Sequence, residues 1–124
     1  MIPDAADLCR QWLDGKDIAA CCEPVPKDLA AHLPLTVLSN GGGSVEDYVV
    51  CSLRVEAWTH ASDLAAAMAE SQRACECLLS MAGDVGGTTV YGCSLQQAPA
   101  EGFDPSNPEV RLAGCVVEVS CRTQ

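Results

Sequence analysis

Two segments of the chain alternate between apolar and polar residues, and this alternation constrains the fold more than any other feature. In residues 47–58 the odd positions from 49 to 57 are apolar, whereas the even positions include Ser52, Arg54 and Glu56. Residues 110–122 repeat the pattern. A period of two places successive side chains on opposite faces of a β-strand. We therefore predict two half-buried strands with the inward residues Val49, Cys51, Leu53, Val55 and Ala57, and Ala113, Cys115, Val117, Val119 and Cys121.

Helical spacing marks two further segments. Asp4 is a suitable N-cap for a helix over residues 5–14, which Gly15 ends. Ser62 is a suitable N-cap for a second, alanine-rich helix that extends to about Ala82 and stops at Gly83. Its small side chains allow it to lie close to a sheet. The predicted inner stripe of this second helix comprises Leu64, Ala67, Met68, Ser71, Cys75, Leu78, Leu79 and Ala82.

Shorter patterns fill the remaining chain. Residues 35–39 and 88–97 are predicted as strands, and the three glycines at 41–43 are predicted as a hairpin tip. Residues 16–34 form a proline-broken connector that includes one possible helical turn, and residues 99–108 form a loop.

The predicted order of elements is α-β-β-α-β-β. We expect an α+β fold with a mainly antiparallel sheet, helices packed on one face, and a single domain over residues 1–124. Hydrophobic residues make up 48% and charged residues 19%, which favours a packed core over disorder. Aromatic residues make up only 4%, so the core must consist of Ala, Val, Leu and Cys.

The acidic composition excludes several classes of partner. With 17 acidic and 7 basic side chains, the formal net charge is −10. Nucleic-acid binding depends on Lys and Arg, which neutralise phosphates, and on aromatic rings, which stack on bases. Both are scarce, so we expect no specific nucleic-acid binding. The basic residues are also scattered, which argues against binding to a membrane surface.

Nine cysteines are many for a chain of this length. The first seven residues lack the features of a secretion signal, so we expect a cytosolic protein with reduced thiols. No two cysteines have the C-x-x-C spacing of structural zinc sites. Because Cys9, Cys51, Cys75, Cys115 and Cys121 fall on apolar faces, we interpret them as small core residues, with no metal or cofactor.

No catalytic constellation is visible. His32 and His60 are the only histidines, and both are predicted to lie on the surface near element ends. The glycines at 41–43 lack the spacing of a phosphate-binding loop. The acidic pairs considered as catalytic candidates are Glu46 with Asp47 and Glu101 with Asp104. Neither has an accompanying base, so we predict no catalytic, cofactor-binding or metal-ligating residue, and a binding or assembly protein rather than an enzyme.

Several patterns follow one another along the chain. After the opening helix, the segment LPLTV at 33–37 leads to the glycines, and a strand ending in VEAW at 55–58 directly precedes the alanine-rich helix. The loop FDPSNPE at 103–109 then precedes the last strand, 110–122. In these features, over nearly its whole length, the chain resembles the tail terminator and tail completion proteins of long-tailed bacteriophages and prophages.

The resemblance implies a ring, commonly a hexamer, at the head-proximal end of the tail tube in the virion, made in the bacterial host cytoplasm. Such a ring stops tube polymerisation and offers a joining surface to the head. Its partners would be copies of itself, the tail-tube protein and the head–tail connector, with residues 39–46 and 99–109 as contact loops. DNA would pass through the ring, and a negative lumen would keep its phosphates from adhering.

Three alternatives remain open from the sequence. The chain could be a neck or head-closure protein of the same assembly. It could be a cysteine-dependent metal or redox protein, which stoichiometric zinc or iron would reveal. It could also be a ferredoxin-like module that binds a small molecule, which would show a closed apolar pocket and ligand-dependent melting.

Overall fold

The computed structural model describes residues 2–46 and 49–123. It has two helices and a six-stranded sheet, so the predicted α+β class is confirmed. The elements are α1 (Ala5–Asp14), β1 (Ala20–Cys22), a 3-10 turn (Leu29–Ala31), β2 (Leu35–Glu46), β3 (Val50–Ala61), α2 (Leu64–Leu79), β4 (Gly83–Val85), β5 (Thr88–Gly102) and β6 (Arg111–Arg122).

The strands are ordered β1-β2-β3-β6-β5-β4 across the sheet. The short β1 pairs in parallel with β2, and the other four neighbouring pairs are antiparallel. The two alternating segments of the sequence, β3 and β6, lie side by side at the centre, in register from Val50 opposite Arg122 to Ala61 opposite Arg111. In these two strands every second side chain faces the core, and this burial of one face is what the alternating sequence reflects.

One face of the sheet packs against both helices. All the predicted inward residues of β6 are buried, as are those of β3 from Cys51 to Ala57. Val49 is the exception, at 45% exposed. The helices contribute Leu8, Leu13 and Leu78 to the same core cluster. Small side chains in the strands let the helices approach closely, as the composition predicted.

The first helix matches its prediction at both ends. The Asp4 carboxylate accepts a hydrogen bond from the Asp7 backbone N–H at 3.2 Å, and the Gly15 N–H closes the last turn. The second helix differs at both ends. Asp63, not Ser62, is the N-cap, since its carboxylate accepts from the Ala66 N–H at 2.8 Å.

The second helix also ends at Leu79, before the predicted Ala82. One tertiary and one local hydrogen bond meet at this end: the Trp12 indole N–H and the Ser80 hydroxyl both donate to the Cys77 carbonyl oxygen at 2.7 Å. These bonds satisfy a carbonyl that a longer helix would have bonded itself. The predicted stripe was wrong at Leu64, Leu79 and Ala82, which are exposed, and it omitted the buried Ala74.

The glycines do not form the hairpin tip. Strand β2 continues through them to Glu46, with a register shift between Asn40 and Gly43, and the reversal lies between Glu46 and Val50. Gly42 and Gly43 have φ of +86° and +156°, values that an irregular ladder requires and that glycine adopts easily. The strand predicted from Asp47 begins at Val50, and Asp47 itself lies outside the described residues.

Two further segments were wrongly predicted as irregular. Strand β5 continues to Gly102, so the predicted 99–108 loop shrinks to the turn after this strand. The connector contains β1, and the short β4 follows α2. Both short strands have only three residues, too few for an alternation pattern to mark. The predicted turn of helix in the connector is confirmed as Leu29–Ala31.

Candidate functional site

The buried thiols belong to the core. Cys9, Cys51, Cys75, Cys115 and Cys121 are each at most 5% exposed, as predicted. Burial raises the pKa of the Cys115 and Cys93 thiols to about 12 and that of Cys121 to about 11. Thiols with raised pKa values hold little thiolate near neutral pH and are poor nucleophiles. Over residues 2–46 and 49–123, no group of three or more His, Cys, Asp or Glu side chains could hold a metal ion.

The two histidines differ in environment. His32 is exposed, as predicted, and its Nε2 lies 2.9 Å from the Asp28 carboxylate. The prediction for His60 was wrong, since only 3% of it is exposed. It lies on the side of the sheet away from the helices, which we call the second face. There residues 23–34 and the turn after β5 cover the end of the strand.

This cover leaves a cleft of about 420 Å³ on the second face, which we call the Trp58 cleft. Its floor is the sheet, and its walls are the connector and the turn that follows β5. The side chains that line it include Glu23, Trp58, His60, Phe103, Asp104 and Leu112. With Val37 of β2, the lining residues come from five separate segments of the chain, so no local motif predicts the cleft.

Two glycines leave room for the Trp58 ring to lie directly on the sheet. A Cβ atom on Gly102 of β5 would lie 2.9 Å from Cη2 of the ring and closer still to Cζ3. A Cβ atom on Gly114 of β6 would lie 2.5 Å from Cδ2 of the same ring and 2.8 Å from the Ala57 carbonyl oxygen. The indole N–H is 3.4 Å from the Glu56 carboxylate. The ring therefore spans three strands in a fixed position and is only partly buried.

The wall formed by the turn combines an exposed aromatic ring with a fixed carboxylate. Phe103 is 74% exposed, the largest value among the exposed large hydrophobic residues. The Asp104 carboxylate accepts from the Ser106 backbone N–H at 2.9 Å and from the Asn107 side-chain amide at 3.0 Å. These hydrogen bonds hold the pKa of Asp104 below its usual value, so the group is an anion at neutral pH. Glu101, its predicted neighbour, is exposed on β5.

His60 is expected to make folding stability depend on pH below about 6.5. Burial lowers its pKa, against the opposing effects of the Trp58 carbonyl and Asp104. In the unfolded chain the imidazole takes up a proton at its ordinary pKa of 6.5, whereas the folded protein resists protonation until lower pH. The unfolded state thus binds more protons in this window, and the melting temperature should fall as pH falls from 7.5 to 5.

The measurement is calorimetry across this pH range, together with NMR titration of the imidazole Cε1 proton. The carboxylates with lowered pKa values, Asp7, Asp28 and Asp104, start from 3.8 and act at lower pH. A His60→Gln variant should lose the slope between pH 6.5 and 5. A His60 resonance that titrates above pH 6.5 would contradict the burial argument.

At each of its two lateral edges the sheet has a strand that is only partly paired. Beyond Val90, the outer edge of β5 has no strand partner among the described residues, because β4 pairs only with Thr88, Thr89 and Val90. Beyond Leu38, the outer edge of β2 likewise has none in the described part of the chain, because β1 covers only three residues. Such edges present backbone N–H and C=O groups for pairing with another chain.

Exposed apolar side chains accompany each free edge. Ile2 and Val45 are 57% and 43% exposed and line one shallow cleft at the end of β2, with Val49 close by in the chain. On β5, Tyr91 and Leu95 are 50% and 43% exposed. We call Ile2, Val45 and Val49 the β2 patch, and Tyr91 and Leu95 the β5 patch. The two patches lie at opposite edges of the same sheet.

Sequence reasoning found part of this surface. The predicted contact segments, residues 39–46 and 99–109, overlap the free part of β2 and the turn of the Trp58 cleft, although 39–46 lies wholly in β2 and 99–102 in β5. The cleft was missed because Trp58 sits on the polar side of an alternating strand. The only signal of the cleft in the sequence is a large aromatic residue at a position where a polar one is expected, together with glycines at 102 and 114 that leave room for its ring.

In the part of the chain that the structure describes, no helix is long and apolar enough to cross a membrane. No protein-family model matches the chain, and none of the curated proteins matches it.

Proposed function

We propose that this chain is a structural subunit of a phage or prophage tail, a tail terminator that assembles into a ring on the head-proximal end of the tail tube. The ring, commonly a hexamer, stops tube polymerisation and provides the surface on which the head joins. The observation that carries this proposal is that the sheet has two edges that are only partly paired. The two edges lie at opposite ends of the strand order, and they differ from each other.

Two different surfaces on opposite sides of a subunit favour head-to-tail association. In such a contact the β5 patch of one subunit meets the β2 patch of the next, and the resulting pair keeps one free patch of each kind. Repetition of one such contact gives a closed ring when the rotation divides a full turn. A self-complementary contact would instead stop at a dimer.

The fold suits this role. We infer an α-β-β-α-β-β framework with a mainly antiparallel sheet and helices on one face, to which β1 and β4 add short flanking strands. The sheet and helices supply a rigid body for subunit packing. The segments at its margins supply contacts for the tail-tube protein and the connector.

The net charge of −10 supports a channel for DNA. Acidic side chains around the lumen would repel phosphates and allow DNA to pass without adhering. A ring with its acidic residues outside and its arginines around the channel would contradict this part of the proposal.

The head-to-tail contact is tested with one acidic substitution in each patch. The unmodified protein at high concentration should sediment as rings, visible by negative-stain microscopy. Val45→Asp and Leu95→Asp should each abolish rings, because a desolvated charge in an apolar contact is costly. A 1:1 mixture of the two variants retains only one intact pair of patches, so it should give heterodimers and no rings.

Leu64→Asp is the matched control, because Leu64 is 36% exposed on α2 and an acid in the first turn favours a helix. It should leave rings intact. Rings that persist in both patch variants would refute the edge contact. Neighbouring genes test the biological role: genes for a major tail protein and a tape-measure protein would support it, and a metabolic operon would refute it.

A further inference from the structure

The two tryptophans, Trp12 and Trp58, differ in what lies over their rings. The Nζ atom of Lys16 lies 5.0 Å from the Trp12 ring centroid, so that ring already has a cation–π partner within the chain. Over the ring of Trp58 there is no Lys or Arg among residues 2–46 and 49–123. The ring packs against Gly102 and Gly114, and it forms part of the cleft floor.

The cleft around Trp58 is also negatively charged. Glu23 lines the cleft on the connector side and Asp104 on the side of the turn, and neither forms an ion pair with a Lys or Arg in the described part of the chain. Hydrogen bonds from residues 106 and 107 fix the Asp104 carboxylate, which still has lone pairs free to accept more. His60 is held neutral by burial and does not compensate this charge.

We propose that the Trp58 cleft binds the side chain of an arginine presented by a partner protein. The guanidinium would stack on the Trp58 ring and donate to Glu23 and Asp104, and Phe103 would cover its outer side. Arginine fits better than lysine because its planar group stacks on aromatic rings and donates several hydrogen bonds at once. Phosphate-bearing ligands are disfavoured by the two carboxylates.

This inference goes beyond the ring proposal and does not depend on it, since it concerns one subunit and can be tested on the isolated chain. The probe is the peptide acetyl-Gly-Arg-Gly-amide, titrated into isotope-labelled protein. The control peptide replaces arginine by citrulline, which keeps the shape and removes the charge. The readout is the Trp58 indole N–H resonance, assigned with a Trp12→Phe variant.

The arginine peptide should shift the Trp58 resonance saturably, with a Kd of about 1–10 mM for so small a ligand. The citrulline peptide should bind about fivefold or more weakly, because the charge supplies the cation–π and ion-pair interactions. The Trp12 resonance serves as the internal control and should not move, since Lys16 already covers that ring.

Two variants localise the binding. Glu23→Gln should weaken the binding of the arginine peptide about twofold to fivefold, as expected for loss of one exposed charge. Glu76→Gln, an exposed acid on α2, should have no effect beyond the small change in net charge. Equal binding of both peptides or an unchanged Trp58 resonance would each overturn the proposal, whatever the outcome of the ring experiments.

Discussion

Gly102→Ala is expected to destabilise the protein by about 1–3 kcal/mol, the usual cost of forcing an extra methyl group into a packed site. The added Cβ would overlap the Trp58 ring, and all three of its nearest contacts belong to that side chain. The ring also packs against the backbone of Gly114 on the neighbouring strand, so it has little room to move toward the sheet. The free energy of unfolding, measured by chemical denaturation, gives the cost directly.

Removing the ring should reverse the sign of this effect. In a Trp58→Ala background, Gly102→Ala should be neutral or stabilising by about 0.4–1 kcal/mol, because alanine reduces the entropy of the unfolded chain. Gly114→Ala is the contrasting case. Its Cβ would still lie 2.8 Å from the Ala57 carbonyl oxygen, so it should remain destabilising in that background. Additive costs for Gly102→Ala and Trp58→Ala would show that the ring does not lie on Gly102.

Alkylation of the five buried thiols should be slower than in the unfolded chain by a factor of at least about 1,000, because a reagent reaches them only when the core opens. Half-buried thiols such as Cys21 and Cys77 should react first. The measurement is iodoacetamide labelling over time at pH 8, with peptide mass spectrometry for each site. The five protected cysteines are Cys9, Cys51, Cys75, Cys115 and Cys121.

A denatured sample provides the control, in which all nine cysteines should react. Burial raises the pKa of Cys9, Cys75, Cys115 and Cys121, which slows their reaction further, since only the thiolate attacks the reagent. Protection of the five should vanish together on unfolding, as one cooperative unit. Labelling of Cys9 or Cys115 as fast as Cys21 would show that the core is open near neutral pH.

Prediction from sequence succeeded where the determinants are local. The first helix was predicted to the residue because Asp4 and Gly15 act on the turns next to them. The central strands were predicted because alternation records burial of one face at every second residue. Cys115 and Cys121 were placed in the core by the same argument.

Prediction failed where distant segments decide the outcome. Where the second helix ends early, Trp12, far away in the chain, hydrogen-bonds the Cys77 carbonyl. His60 is buried by segments that precede and follow its strand. The three-residue strands β1 and β4 exist because β2 and β5 offer edges to pair with, and their own sequences carry no strand pattern.

The sequence by itself determined the α+β class, the first helix, the two central strands and a core of small residues and thiols. Those features follow from periodicity and from capping, which act over a few residues. Only the tertiary structure decided which edges stay unpaired and that Trp58, Glu23 and Asp104 share one cleft. These depend on strand order and on contacts between residues distant in the chain, which no local pattern encodes.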